Sequence, residues 1–142
     1  ITHSLDIVFV LRSKPRVQII TPGGELDQTA NAYTGSYAEN ILRSFSADGA
    51  FIGAGSIDIE RGTDESTINN VPIKTIMNHN AKQSYLLVDS SKFKKRSNFK
   101  AIPIRDIQFI ITTDATRKKT IAPFEELGIS VTFVPFATPK VK

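Results

Sequence analysis

Apolar, β-branched runs recur along the chain, and each stops at a polar or glycine-rich turn. Residues 16–20 (RVQII) lead into Thr21-Pro22-Gly23-Gly24, and 50–52 into Gly53-Ala54-Gly55. Residues 84–88 lead into Asp89-Ser90-Ser91-Lys92, 107–112 (IQFIIT) into Thr113-Asp114, and 130–134 (SVTFV) form the last run. Continuous runs of this kind predict strands buried on both faces, hence a parallel sheet. Helical periodicity lies between them. Over 36–45, Tyr37, Ala38, Ile41, Leu42 and Phe45 share one face, and Ser36 with Glu39 has the spacing of a capping box. A second amphipathic pattern covers 69–82 through Val71, Ile73, Ile76, Met77 and Ala81, with Pro72 tolerated in the first turn. Residues 122–127 predict a short helix stopped by Gly128. The segment 5–11 (LDIVFVL) fits either a helix capped by Ser4 or a strand, and the polar stretch 53–69 reads as a loop with little regular structure. Strand, turn and helix in alternation predict an α/β fold: an open, mostly parallel sheet with flanking helices.

Composition narrows the function classes. A chain of 142 residues is one domain with a core of its own. It has no cysteine, and its two histidines, His3 and His79, are far apart, so neither a disulfide framework nor a zinc site is expected, and no cofactor is called for. No apolar run approaches the roughly 20 residues of a membrane span, and a cytoplasmic protein is the default expectation. The net charge of +4 gathers in Lys94-Lys95-Arg96 and Arg117-Lys118-Lys119. No aromatic residue alternates with these cations as a stacking platform would require, so they read as solvated loops before they read as a nucleic-acid surface. The sequence starts at Ile1, so the domain is expected to be incomplete at its N-terminus.

In an open parallel sheet, ligands bind outside the carboxyl ends of the strands. The polar turns are therefore the place to look for chemistry. Thr2 and Ser4 precede a helix start, where hydroxyls cap the helix or join its free N–H groups in holding an anion. Gly23 and Gly24 allow a tight turn or close backbone approach of a ligand. Asp58 follows the small residues of Gly53-Ala54-Gly55 and can take hydrogen bonds from sugar hydroxyls or from its own backbone. Lys74 stands near a helix start, where a cation opposes the macrodipole; a phosphate held there would account for it. Asp89 and Lys92 offer a hydroxyl reader and a charge for phosphate. Together these turns suit a phosphorylated polyol better than an apolar ligand.

The same residues carry a resemblance. Thr2-His3-Ser4, Gly23-Gly24-Glu25-Leu26, Thr34-Gly35, Ala50-Phe51-Ile52-Gly53-Ala54, Gly55-Ser56-Ile57-Asp58, Gly62-Thr63, Lys74, Asp89-Ser90-Ser91-Lys92-Phe93 and Ile110-Ile111-Thr112-Thr113-Asp114 follow one another in this order. The series resembles the C-terminal sensor domain of DeoR-family bacterial transcriptional repressors and covers nearly the whole chain. The resemblance implies a fold similar to ribose-5-phosphate isomerase. It also implies a non-enzymatic sensor of a phosphorylated sugar, and operator DNA bound through an N-terminal winged helix-turn-helix absent from 1–142. A homo-oligomer is expected, because repressors reading two half-sites are usually even oligomers. Thr2, Ser4, Gly23, Gly24, Asp58, Lys74, Asp89 and Lys92 are the implied effector-binding residues, with the lysines on the phosphate and the aspartates on hydroxyls. Where the family favours a glutamate and an arginine around Lys74, this chain has Asn70 and Thr75. An amide cannot act as a base, which disfavours the alternative of a sugar-phosphate isomerase or deaminase.

Overall fold

The computed structural model describes residues 1–93 and 96–136. The chain divides into two compact units, Ile1–Ser46 and Ala47–Lys142.

The first unit contains helix α1 (Leu5–Leu11), strands β1 (Glu25–Asp27) and β2 (Ala32–Thr34), and helix α2 (Gly35–Arg43). The ambiguous segment 5–11 is thus a helix. Ser4 Oγ accepts the Ile7 N–H at 3.5 Å, and Asp6 in the first turn complements the helix dipole. β1 and β2 form an antiparallel hairpin whose loop is closed by Asp27, its carboxylate taking the N–H groups of Thr29 and Ala30. Two expectations fail here. Residues 16–20 are not a strand. Ile20 accepts one N–H from Thr2, but Val17 N–H turns back to Lys14, and no ladder forms. An extended apolar run becomes a strand only where a neighbour satisfies its backbone. Nor do Ser36 and Glu39 form a capping box. α2 starts one residue earlier, with Thr34 as its N-cap making no side-chain cap bond, and Glu39 instead pairs with Arg43 one turn on at 3.4 Å.

The second unit is built on a parallel sheet in the order β3-β6-β8-β9: β3 (Ala47–Gly53), β6 (Ala81–Leu87), β8 (Phe109–Thr113) and β9 (Ser130–Val134). Helix α3 (Asn70–His79) lies between β3 and β6 in sequence, and α4 (Lys118–Glu126) between β8 and β9. Three short strands, β4 (Ser56–Asp58), β5 (Gly62–Glu65) and β7 (Phe99–Lys100), form a separate antiparallel sheet in the order β4-β5-β7. The core gathers Ala50, Ile52, Leu86, Val88 and Ile110 from one face of the parallel sheet with Ile57, Ile107, Phe124 and Ile129. On the opposite face Phe51, Tyr85 and Phe109 stack across three strands at 5.2 and 5.1 Å between ring centroids. Phe51 is 63% exposed there, so the expected burial of both faces does not hold at the edge strand β3.

Three boundaries move for local reasons. α3 ends at His79, because Asn80 closes the last turn onto Ile76 and Ala81 already pairs with Ala47 at the start of β6. β8 begins after Ile107, which closes a 3-10 turn onto Ile104. α4 is longer than the predicted 122–127 and holds Pro123 within it. Its end is a Schellman motif. Gly128, at φ +83°, donates to Glu125 at 2.9 Å, and Ile129 donates to Phe124 at 3.1 Å; both Ile129 and Phe124 sit in the core.

Candidate functional site

The stretch 53–69, expected to be a loop, contains the β4–β5 hairpin, whose second strand is polar yet buried. All four residues of β5 are buried, including Asp64 at 0% and Glu65 at 3% exposure. Buried carboxylates need partners. Asp64 receives the Arg61 guanidinium at 3.0 Å and faces the Ser56 hydroxyl at 3.5 Å. Glu65 receives the Lys74 ammonium at 2.8 Å. The tight turn depends on Gly62 at φ +88°, whose missing Cβ leaves room for the backbone of residues 102–104.

Lys74 resolves a puzzle that its sequence position raised. Its ammonium leaves the α3 axis and donates both to Glu65 and to the Gly53 carbonyl at 2.8 Å, at the carboxyl end of β3. The ion pair and the strand-end carbonyl account for a cation near the helix start without a phosphate. Asn70, one turn earlier, buries its Oδ1 without a hydrogen-bond partner among the described residues.

The Asp89–Lys92 turn follows β6 at the same carboxyl edge. Asp89 Oδ1 accepts the Ser91 N–H at 2.7 Å, and Lys92 N–H closes onto the Asp89 carbonyl at 3.1 Å. The Ser91 hydroxyl and then its N–H, with a smaller contribution from Lys92, hold the Asp89 carboxyl below the ordinary range. The Lys92 ammonium makes no hydrogen bond or ion pair among the described residues. Ile57 N–H donates to the Lys92 carbonyl at 3.0 Å, which ties the β4–β5 hairpin to this turn. Asp58, the next residue, uses Oδ1 to take the N–H groups of Glu60 and Arg61 at 2.9 and 3.2 Å, while Arg96 stands 3.8 Å from Oδ2. Its local backbone role is occupied, and its second oxygen faces an exposed cation. Lys94 and Lys95, the rest of that basic cluster, lie outside the described residues.

Within the first unit, the four remaining candidates serve the local backbone. Thr2 Oγ1 accepts Ser4 N–H at 3.2 Å, and Ser4 caps α1. Gly23, at φ +67°, has open space where a Cβ would stand. Gly24, at φ +108°, packs its backbone against Thr34 and Ala38, where a Cβ would meet the Thr34 carbonyl at 2.6 Å. The second unit therefore brings Lys74, Asp89 and Lys92 to one sheet edge, and adds Glu65, which the sequence reading missed; Asp58 belongs to the β4–β5 turn, whose Gly62 packs against residues 102–104. The signal for Glu65 was Lys74 itself: a cation against a helix dipole asks for an acid.

Comparison with known proteins agrees with this architecture. Residues 1–114 match the family described as DeoR C terminal sensor domain. The transcriptional repressor AccR of Agrobacterium fabrum (strain C58 / ATCC 33970) is 32% identical over 118 residues, 82% of this chain and 46% of the repressor. The HTH-type transcriptional regulator YulB of Bacillus subtilis (strain 168) is 25% identical over 137 residues, 96% of this chain and 53% of that protein. A glycerol-3-phosphate regulon repressor of Haemophilus influenzae (strain ATCC 51907 / DSM 11121 / KW20 / Rd) is 23% identical over 114 residues, 80% of this chain and 44% of that protein. The chain spans about half the length of the curated relatives it matches. Among the described residues no helix is long and apolar enough to cross a membrane. With four parallel strands, flanking helices and a family match over most of its length, the chain belongs to the DeoR C-terminal sensor domains, a family of regulator domains rather than enzymes.

Proposed function

We propose that this chain is the effector-sensing part of a transcriptional repressor and that it binds a phosphorylated sugar or polyol at the carboxyl edge of the β3-β6-β8-β9 sheet. The observation that carries the reading is Lys92. It is a cation without an ion-pair partner among the described residues, in a turn whose other end is an ionised aspartate. A phosphate on Lys92 and a hydroxyl on Asp89 use both charges without stripping either from a protein partner. Lys74, already satisfied by Glu65, shapes the edge, and the buried Asn70 Oδ1 offers an acceptor for a further hydroxyl. One relative, a glycerol-3-phosphate regulon repressor, is named for a ligand of the same class. In the longer protein, ligand binding biases an operator-binding helix-turn-helix domain and a homo-oligomeric arrangement, by the difference in its affinity for the two states.

A thermal-shift screen tests the ligand class. Glycerol 3-phosphate, ribose 5-phosphate and glucosamine 6-phosphate are compared with glycerol, ribose and glucosamine. A ligand at 100 times its Kd stabilises by about 2.7 kcal/mol. At least one phosphorylated compound is expected to raise the midpoint, and Lys92→Ala to abolish the shift. Equal shifts from the unphosphorylated partners would refute the phosphate requirement.

A further inference from the structure

The second unit has another concavity, on the sheet edge opposite the one discussed so far. A cavity of about 400 Å³ opens at the amino-terminal ends of the parallel strands, between the last turn of α3, the start of β6 and the segment 102–108. That volume lies within the usual range of small-molecule sites. Its lining joins two cations, Lys82 and Arg105, with Asn78, His79 and Gln108 over an apolar floor that includes the buried Ile102.

We propose that this cavity is a second binding site, for a small hydroxylated organic anion carrying a carboxylate or phosphate. Two features point to a ligand rather than to a packing defect. First, the lining includes Asn78, which is half-buried, and His79 and Gln108, which are exposed; none of the three side chains makes a hydrogen bond among the described residues, so each can turn to a ligand without breaking a protein contact. Second, both cations are held only by carboxylates that water already solvates. Lys82 pairs with Asp48, whose side chain is 92% exposed, and Arg105 stands 3.8 Å from Asp106, whose side chain is 47% exposed. Pairs of this kind contribute little, so an incoming anion recruits either cation at small cost. Arg105 matches a carboxylate or phosphate with two parallel N–H donors. The amides of Asn78 and Gln108 and the Asp106 carboxylate suit hydroxyls, which is why a bare inorganic ion would use only part of the lining. α3 and β6 reach both edges: Lys74 and the turn after β6 lie at one, and Asn78, His79 and Lys82 at the other.

The site is tested on the 142-residue chain by NMR titration with citrate, a hydroxylated tricarboxylate, and with glycerol 3-phosphate. Inorganic phosphate and glycerol serve as part-ligands, all at fixed ionic strength. Saturable shifts of the Asn78, Lys82, Arg105 and Gln108 amides are expected with citrate or glycerol 3-phosphate. Binding should weaken at least tenfold in Lys82→Ala/Arg105→Ala and stay within twofold in Lys92→Ala. The two exposed side chains can be removed without disturbing the fold, which an unchanged melting curve would verify. The proposal is overturned if neither compound gives saturable shifts at these four residues, if the double variant binds as well as the original chain, or if glycerol alone binds as tightly. Loss of binding in Lys92→Ala with the cavity variant unaffected would instead assign the anion to the carboxyl edge, and would also overturn it.

Discussion

Replacing Lys74 with methionine isolates the energetics of the candidate edge. The substitution keeps the length and apolar stem of the side chain and removes only the ammonium. Glu65, 3% exposed, then keeps a charge inside the protein with no counter-charge, and the Gly53 carbonyl loses its donor. Breaking a buried pair by deleting one partner costs about 3–5 kcal/mol, because the orphaned charge bears the desolvation penalty alone. The lost strand-end hydrogen bond falls within that range. Lys74→Met/Glu65→Leu should recover most of the loss, since exchanging a whole buried pair for apolar side chains is often neutral. Urea denaturation followed by circular dichroism reads both. For the single variant the midpoint falls with the m-value unchanged; for the double variant it returns to within about 1 kcal/mol of the original chain. A loss below about 1 kcal/mol for Lys74→Met, with native ellipticity, would show that Glu65 is not held by Lys74 and would refute the account of why a lysine sits near that helix start.

Other consequences are sharper still at single atoms. Gly62→Ala puts a methyl group into the Ile102 carbonyl and within 2.6 Å of the Ile104 amide nitrogen at φ +88°. It should cost at least about 2 kcal/mol by thermal unfolding, while Gly53→Ala, with nothing within 4 Å, should change stability by less than about 0.5 kcal/mol. Ile110→Ala empties a fully buried position in the middle of the sheet, and a loss of about 2–5 kcal/mol in denaturant unfolding is expected. NMR titration of Asp89 should give a midpoint below its ordinary value of 3.8. Ser91→Ala should raise it more than Lys92→Ala does, since Ser91 is the larger cause. The sign follows from linkage: the stabilisation of the ionised turn is present above pH 3.8 and disappears as the pH falls through the lower folded value.

What the sequence made legible were the features that depend on one element at a time. The run 130–134 coincides with β9, the periodicity of 69–82 locates α3, and Gly128 marks the end of α4, because strand patterning, amphipathicity and a left-handed cap are each written locally. The two larger misreadings turn on pairing and burial, which residue type alone does not record. Residues 16–20 have the composition of a strand but no ladder neighbour, and composition does not carry that information. The β4–β5 hairpin looked like a solvated loop because Thr63, Asp64 and Glu65 are polar. They are buried because Arg61 and Lys74 neutralise them, one from within the turn and one from the next helix.

That error bears directly on the site. Read in sequence, Lys74 and Lys92 were both candidates for the cationic side of a phosphate site. In the structure they differ by their existing commitments. Lys74 holds a buried carboxylate at 2.8 Å with its side chain only 15% exposed, so a phosphate that took it over would leave Glu65 charged and unpaired. The penalty of about 3–5 kcal/mol for such an orphan is comparable to the gain expected from a single charge-assisted contact or exceeds it. Lys92 carries no such penalty. If the chain binds a phosphorylated ligand as proposed, the phosphate falls on the lysine whose neighbours, Asp89 and Ser91, are held in place by the turn itself, and Lys74 is the strut that fixes the hairpin against the end of β3. A direct comparison separates the two: Lys92→Ala should weaken a phosphorylated ligand while leaving the melting temperature of the free chain nearly unchanged. Lys74→Met should lower that melting temperature by roughly 10 °C, in line with its loss of about 3–5 kcal/mol. The reverse pattern would make Lys74 the phosphate ligand and Glu65 a spectator.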